Sequence, residues 1–116
     1  MELTLNIKKD QNVCIVALNG PLDSSTYMYF EQQIRKIIDD QNVKALVLDM
    51  KRVNYISSLG VGVIFMAMKV MKERKGSIAV VSLQPQIQKL FEIVKAMPNS
   101  VFETLKEVDD YLASIQ

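Results

Sequence analysis

The residues of this chain best suited to chemistry are two adjacent serines, Ser57 and Ser58, placed where a predicted strand gives way to a predicted helix. Gly60 and Gly62 follow in the first turns of that helix. One serine is enough to cap a helix, and each glycine costs about 1 kcal/mol of helix stability relative to alanine. The segment is therefore expected to serve something besides helix stability.

A helix amino terminus offers unpaired backbone N–H groups and a partial positive charge, and both favour an anion. A phosphate on Ser58 would be accommodated there while adding about two negative charges to the surface. The Gly60–x–Gly62 pair also permits a dinucleotide-site interpretation, but Phe65 occupies the place of the third glycine in GxGxxG. A chain of 116 residues also leaves little room for a cofactor fold together with a substrate site.

The composition narrows the chemistry further. The chain has no histidine and a single cysteine, which excludes the usual zinc sites and the Ser-His-Asp or Cys-His catalytic sets. Cys14 lies in an apolar run and is interpreted as a small buried hydrophobe. An enzyme would have to be an unusual one, so we predict no catalytic residue, no metal and no cofactor.

Length and charge limit the partners. The 116 residues, 49% hydrophobic and 23% charged, fit one globular domain over residues 1–116. Fourteen basic and thirteen acidic residues give a net charge of +1, which argues against broad binding to nucleic acid or to an anionic membrane. The longest uncharged stretch, residues 54–68, is shorter than the roughly 20 residues of a bilayer span. The amino terminus lacks the apolar core of a signal peptide, and we expect a soluble, cytoplasmic protein.

Strand patterns and helix patterns alternate along the chain. Apolar runs or period-two patterns predict strands over residues 3–7, 13–18, 43–50, 77–81 and 101–102. The polar turn over residues 8–12 predicts a hairpin between the first two strands. The predicted fold is α/β, with a mixed central sheet of four to five strands packed with about four helices.

The helices are predicted from apolar residues at helical spacing. Asp23, Ser24, Ser25 and Thr26 are candidate caps for the first helix. The second helix covers residues 58–75, and the third begins at Pro85 and ends at Met97-Pro98. The expected buried residues are Phe30, Ile34, Ile37 and Ile38 in the first helix, Ile87, Leu90, Phe91 and Val94 in the third, and Val108, Leu112 and Ile115 in a closing amphipathic helix.

The helix over residues 58–75 is apolar on almost every side, since Lys69 is its only charged residue between positions 59 and 71. One side belongs in the core, and the remaining apolar surface faces either the following helix or a binding partner. Met66, Met68 and Met71 favour a partner, because flexible thioethers suit surfaces that adapt.

These segments resemble the signature of the bacterial anti-sigma factor antagonists, members of the STAS-domain family. The chain carries LVLD at residues 46–49 and VNYISSLGVGV at residues 53–63. The family form is a strand ending in aspartate, then an aromatic and an apolar residue followed by Asp-Ser-(Ser/Thr)-Gly-Leu-Gly-Val. LNGPLD at residues 18–23 resembles the family's Gly-x-Leu-Asp turn. The resemblance covers nearly the whole chain and implies a single STAS-type domain over residues 1–116.

The resemblance implies a regulatory protein-binding function. In that family the unphosphorylated antagonist captures an ATP-binding anti-sigma factor that is also a serine kinase, and so frees the sigma factor. The kinase inactivates the antagonist by phosphorylating the serine at the helix start, and a serine phosphatase restores it. Matching the motif places that serine at Ser58, with Ser57 as an alternative acceptor. Asp23 would lie near it and help to dock the partner, and a role as a helix cap is an equal alternative.

The partner-binding residues that the resemblance implies are Asp23, Ser57, Leu59, Gly60, Gly62 and Met66. Two positions depart from the family form: Ser57 stands in place of the aspartate, and Leu59 replaces the second hydroxyl residue. Loss of the aspartate removes a negative charge and a kinase contact. Two alternatives stay open. One is a STAS scaffold without the switch, in a sensory or transport-associated complex, and the other is an enzyme or small-ligand protein that uses the helix terminus as an anion site.

Overall fold

In the computed structural model, which describes residues 2–93 and 101–102, five strands form one sheet in the order β1-β2-β3-β4-β5. The strands are β1 (Thr4–Asp10), β2 (Val13–Asn19), β3 (Ala45–Arg52), β4 (Ser77–Val81) and β5 (Val101–Phe102). β1 pairs with β2 in antiparallel fashion, and each later pair of neighbours is parallel. The predicted mixed sheet of four to five strands is confirmed.

The hairpin between β1 and β2 is tighter than the sequence predicts. The polar pattern predicts a turn over residues 8–12, whereas the antiparallel ladder continues to the Asp10–Val13 pair. Only Gln11 and Asn12 form the turn, and Gln11 adopts a φ of 55°. Because β1 lies at the edge of the sheet, its polar side chains stay in water while its backbone groups pair with β2.

Among the described residues, three helices connect or follow the parallel strands: α1 (Tyr27–Ile38), α2 (Ser58–Glu73) and α3 (Pro85–Ile93). α1 links β2 to β3, and α2 links β3 to β4, as parallel strands require. No helix in the described part of the chain is long and apolar enough to cross a membrane. Three predictions lie outside the described residues: Val94 on the buried side of α3, the helix end at Met97-Pro98, and the closing helix with Val108, Leu112 and Ile115.

The main hydrophobic core lies between the helices and one face of the sheet. Phe30, Ile34 and Ile38 of α1 are buried in it, as their spacing predicts, and Ile37 is half-buried. Alternate residues of the parallel strands point to the opposite face, because side chains alternate along a strand. The buried cluster on that second face consists of Ala45, Val47, Ala79 and Val81.

Cys14 of β2 is buried in the main core, as predicted. Burial raises the pKa of its thiol, because the thiolate loses its hydration. A nucleophilic cysteine needs a lowered pKa, so the environment of Cys14 is that of a core residue.

One side chain fastens the carboxyl end of α2 to the loop between α1 and β3. The Arg74 guanidinium donates hydrogen bonds to the carbonyl oxygens of Ile38, Asp40 and Val43, the last two at 3.0 and 2.7 Å. The Ile38 carbonyl belongs to the last turn of α1, whose final carbonyl groups lack partners within the helix. Arg74 therefore caps one helix from the end of another.

Candidate partner-binding site

The candidate site lies where β2 and β3 end and where α1 and α2 begin. A single parallel bridge pairs Leu22 with Ile56 and joins the two loops. The Leu22 N–H donates to the Tyr55 carbonyl oxygen at 3.0 Å, and the Ser57 N–H donates to the Leu22 carbonyl oxygen at 2.7 Å. Asp23 and Ser57, the residues that follow the bridged pair, are thereby brought to neighbouring positions.

The two serines have different environments. Ser57 is the N-cap of α2, with an extended backbone, and its Oγ accepts a hydrogen bond from the Gly60 N–H at 3.3 Å. Ser58 is the first helical residue and is exposed, and its hydroxyl has no hydrogen-bond partner among the residues that the structure describes. Ser57 thus meets the capping need of the helix, and the Ser58 hydroxyl is left to solvent.

The two glycines of α2 also differ. A Cβ on Gly60 would lie 2.9 Å from Ile56 Cγ1, 3.0 Å from Leu22 Cβ and 3.2 Å from the Leu22 carbonyl oxygen. Gly60 is buried, and its missing side chain lets α2 approach the bridged loops. A Cβ on Gly62, which is exposed, would meet no atom within 4 Å. Close packing explains Gly60 and does not explain Gly62.

We expect Gly60→Ala to destabilise the protein by about 1 to 2 kcal/mol. Overpacking costs about 1–3 kcal/mol, and better helix propensity offsets up to about 1 kcal/mol of it. Gly62→Ala is the matched control, because it makes the same change on the same helix without a contact, and it should stabilise. Urea unfolding measures both free energies. Equal effects of the two substitutions would contradict the packing role assigned to Gly60.

Asp23 organises the turn before α1. Its Oδ1 accepts hydrogen bonds from the Ser25 hydroxyl at 2.7 Å, the Ser25 N–H at 2.9 Å and the Thr26 N–H at 3.1 Å. These bonds lower the pKa of the Asp23 carboxyl because they favour its charged form, and the bond from the Ser25 hydroxyl has the largest effect. Thr26 is the N-cap of α1 by position, but its side chain makes no capping hydrogen bond. Asp23 therefore organises the turn before α1 without being its N-cap, and it follows the bridged Leu22 beside Ser57.

Exposed apolar side chains concentrate at this end of the molecule. Of the six large hydrophobic residues exposed in the described part of the chain, Met28 and Tyr29 lie in the first turn of α1, and Tyr55 and Leu59 flank the two serines. Phe65 follows farther along α2, with 41% of its surface exposed. Clusters of exposed apolar residues are typical of protein-binding surfaces. We call the four of them at this end of the molecule (Met28, Tyr29, Tyr55 and Leu59) the apolar rim.

The methionines of α2 divide between the core and its margin. Met71 is fully buried, and Met66 and Met68 are half-buried against the core. The prediction that Met71 belongs to a partner-binding surface is therefore wrong, because Met71 lies on the side of α2 that faces the core. The exposed apolar surface of α2 is formed instead by Leu59 and Phe65.

Several residues of this surface were missed by sequence reasoning. Met28 and Tyr29 are apolar residues that do not follow the spacing of the buried residues of α1. This mismatch could have indicated that they are exposed. Phe65 carried no such signal, because the surrounding helix is apolar on most sides. Tyr55 was visible only as a motif residue, and its exposure of 54% depends on the fold.

The geometry defines a small α/β domain with exposed apolar side chains at the end where α1 and α2 begin. The family model of the STAS domain matches residues 4–108, and the chain belongs to that family. An anti-sigma F factor antagonist from Paenibacillus polymyxa is 29% identical over 101 residues, which cover 84% of this chain and 86% of the relative. That relative is named for a regulatory activity, antagonism of an anti-sigma factor.

Solved structures share the fold. The anti-sigma factor antagonist SpoIIAA in its unphosphorylated form matches with a TM-score of 0.84 at 19% identity, over 97% of this chain and 99% of its own. Phosphorylated SpoIIAA from Bacillus gives a TM-score of 0.77 at 19% identity, over 94% and 99% of the two chains. The murine Slc26a9 anion transporter gives 0.75 at 20% identity, over 92% of this chain but 18% of the transporter. The described part of the chain therefore has the STAS fold.

Proposed function

We propose that this protein is an anti-sigma factor antagonist, a module that captures an anti-sigma factor with serine kinase activity and is inactivated by phosphorylation of Ser58. The observation that carries the proposal is the exposed Ser58 hydroxyl at the start of α2, which no described residue engages and which lies in the chain between Tyr55 and Leu59 of the apolar rim. The name of the Paenibacillus polymyxa relative and the two forms in which SpoIIAA has been solved support it.

Ser58 is a better acceptor than Ser57 on local grounds. A phosphate on Ser57 would disturb the hydroxyl that caps α2 through the Gly60 N–H. A phosphate on Ser58 would instead lie at the positive end of the helix dipole, where an anion is favoured. Modification of Ser58 would therefore change the surface charge and preserve the fold.

The switch follows from desolvation. A bound partner removes the apolar rim from water, and a phosphate on Ser58 would carry about two negative charges into that contact. Burying such charge without a partner costs several kcal/mol, and each 1.4 kcal/mol is a tenfold change in affinity. The charged carboxylate of Asp23 lies at the same end of the molecule. The carboxylate and the phosphate would therefore repel each other, and this repulsion would increase when the partner excludes water.

The proposal gives each predicted site residue a role. Asp23, Ser57, Leu59, Gly62 and Met66 contact the partner, and Gly60 acts by letting α2 approach the bridged loops. Residues 1–116 form the one domain, a serine phosphatase restores the active form, and the protein works in the cytoplasm. It is not an enzyme and needs no metal or cofactor, and neither nucleic acid nor membrane is a partner.

A scaffold without the switch, in a sensory or transport-associated complex, is the second candidate function. Ser57 favours it, because the family signature carries an aspartate at that position. The occurrence of the same fold within a much longer anion transporter chain supports this candidate.

Affinity capture from a lysate of the native cell tests the class of partner. The baits are the wild type, Leu59→Lys in the apolar rim and Gln41→Lys as a control with the same added charge. Gln41 is exposed in the loop before β3, at the opposite end of that strand from Ser58. We expect the wild type and the control to retain an anti-sigma factor kinase that Leu59→Lys loses. Retention of a sensory or transport assembly without a kinase would contradict the antagonist function.

A further inference from the structure

Gly62 is a residue of α2 that the fold does not require. Glycine is the poorest helix former after proline. A Cβ at this position would meet no atom within 4 Å, and the backbone does not adopt the positive φ that favours glycine. Gly62 is also exposed, so neither packing nor backbone geometry accounts for it.

Because Gly62 has no side chain and a Cβ there would meet open space, we infer a shallow depression between its neighbours on the surface of α2. On a helix, the residues three and four positions away surround a given residue. For Gly62 these are Ser58, Leu59, Phe65 and Met66. Leu59 and Phe65 are 45% and 41% exposed, and Ser58 is exposed at the rim. None of the four is charged, and we call this depression the Gly62 socket.

A positive charge follows on the same side of the helix. Lys69 lies seven residues beyond Gly62, which is about 10 Å along the axis at 1.5 Å per residue. It is exposed, and it forms no ion pair with any described residue. An apolar socket followed by an unpaired cation is complementary to a partner surface with one apolar and one acidic side chain.

We propose that the Gly62 socket receives an apolar side chain from an amphipathic helix of the anti-sigma factor, and that an acidic side chain of the same helix pairs with Lys69. This inference rests on the proposed function and names the chemistry of its partner. A helix lying along α2 places the two contacts about two turns apart, and a side chain entering a gap between four residues is the usual contact of paired helices.

The Gly62 socket also connects recognition with the switch. Ser58 forms part of its wall, four residues before Gly62 on the same helix. A phosphate on Ser58 would stand directly against the apolar side chain that enters the socket. A single phosphate would then expel the partner by placing its charge against that apolar side chain.

Gly62→Ala tests the socket by filling it. The thermal midpoint should rise by about 4 °C, because alanine favours the helix and meets no neighbour. The affinity for the purified anti-sigma factor, measured by isothermal titration calorimetry, should fall about tenfold because the methyl group occupies the socket. Gly62→Leu should bind more weakly still. A variant that is more stable but binds less well has lost affinity because the socket is filled and not because the fold is damaged.

Lys69→Glu tests the acidic contact, with Lys8→Glu on the exposed edge strand β1 as the control of equal charge. We expect Lys69→Glu to bind about tenfold more weakly than the control, with the difference shrinking at high salt. If Gly62→Ala binds as tightly as the wild type, or Lys69→Glu as tightly as the control, the inference is wrong and the antagonist function stands. If the wild type does not bind the anti-sigma factor, both are wrong.

Discussion

Replacement of Ser58 by aspartate is expected to weaken binding to the anti-sigma factor by about 100-fold or more, whereas Ser58→Ala should stay within about threefold of the wild type. The aspartate carries a fixed charge into a contact that covers Leu59 and Tyr55, and that charge must lose its hydration there. Alanine removes only a hydroxyl that no described residue engages. Isothermal titration calorimetry with the purified partner measures both affinities.

Two controls make the Ser58 result specific. Ser57→Asp places the same charge one residue earlier, where aspartate caps a helix as well as serine does and where the family signature carries it. Because Ser57 is itself a proposed contact, we expect Ser57→Asp to lose some affinity but much less than Ser58→Asp. Gln41→Asp adds the charge in the loop before β3 and should have no effect. Binding of Ser58→Asp at wild-type affinity, or an equal loss in Ser57→Asp, would contradict a switch at Ser58.

Replacement of Arg74 by alanine is expected to lower the free energy of unfolding by about 3 kcal/mol. The substitution removes a charged donor that serves the carbonyl oxygens of Ile38, Asp40 and Val43. Loss of hydrogen bonds to a charged group costs about 1.5–3 kcal/mol in similar settings. Arg74→Lys should restore only part of the loss, because a single ammonium group cannot reproduce the planar fork of the guanidinium.

Urea unfolding tests the role of Arg74, with Lys72→Ala as the matched control. Lys72 is an exposed cation two residues earlier on α2, so its removal changes the charge at the helix end in the same way. We expect Lys72→Ala to stay within about 0.5 kcal/mol of the wild type. A loss from Arg74→Ala no larger than that of Lys72→Ala would show that the three hydrogen bonds contribute little.

Much of the fold could be predicted because hydrophobic periodicity reports which side of an element is buried. The spacing of Phe30, Ile34 and Ile38 predicted α1 correctly, and the apolar run over residues 77–81 predicted β4. β1 was predicted too short because the backbone pairing of an edge strand does not depend on apolar side chains. Its last residues, including Asp10, have the composition of a turn and the geometry of a strand.

The position of the site in the chain could be predicted from the sequence, but the different roles of its two serines and its two glycines could not. Ser57 and Ser58 have the same side chain, and only the cap hydrogen bond to Gly60 distinguishes them. Gly60 and Gly62 likewise differ only in what surrounds them, since Leu22 approaches one and nothing approaches the other. Such differences arise from contacts between segments far apart in the chain, and local patterns do not record them.

The long-range role of Arg74 shows the same limit. In the sequence it belongs to a charged run that ends a helix, and nothing marks it apart from its lysine neighbours. Its three hydrogen bonds reach a loop more than 30 residues earlier, from Ile38 to Val43. Tertiary packing alone determines which cation of the run lies against those carbonyl groups.

The most direct test of the central claim is to map the phosphate by tandem mass spectrometry after the chain has been incubated with its captured anti-sigma factor and ATP. We predict a single phosphate on Ser58, no phosphate on the Ser58→Ala chain, and a phosphorylated chain that no longer co-elutes with the partner in size-exclusion chromatography. Phosphate found only on Ser57, or a chain that stays unmodified while the partner phosphorylates a known substrate, would contradict the claim that Ser58 is the switch.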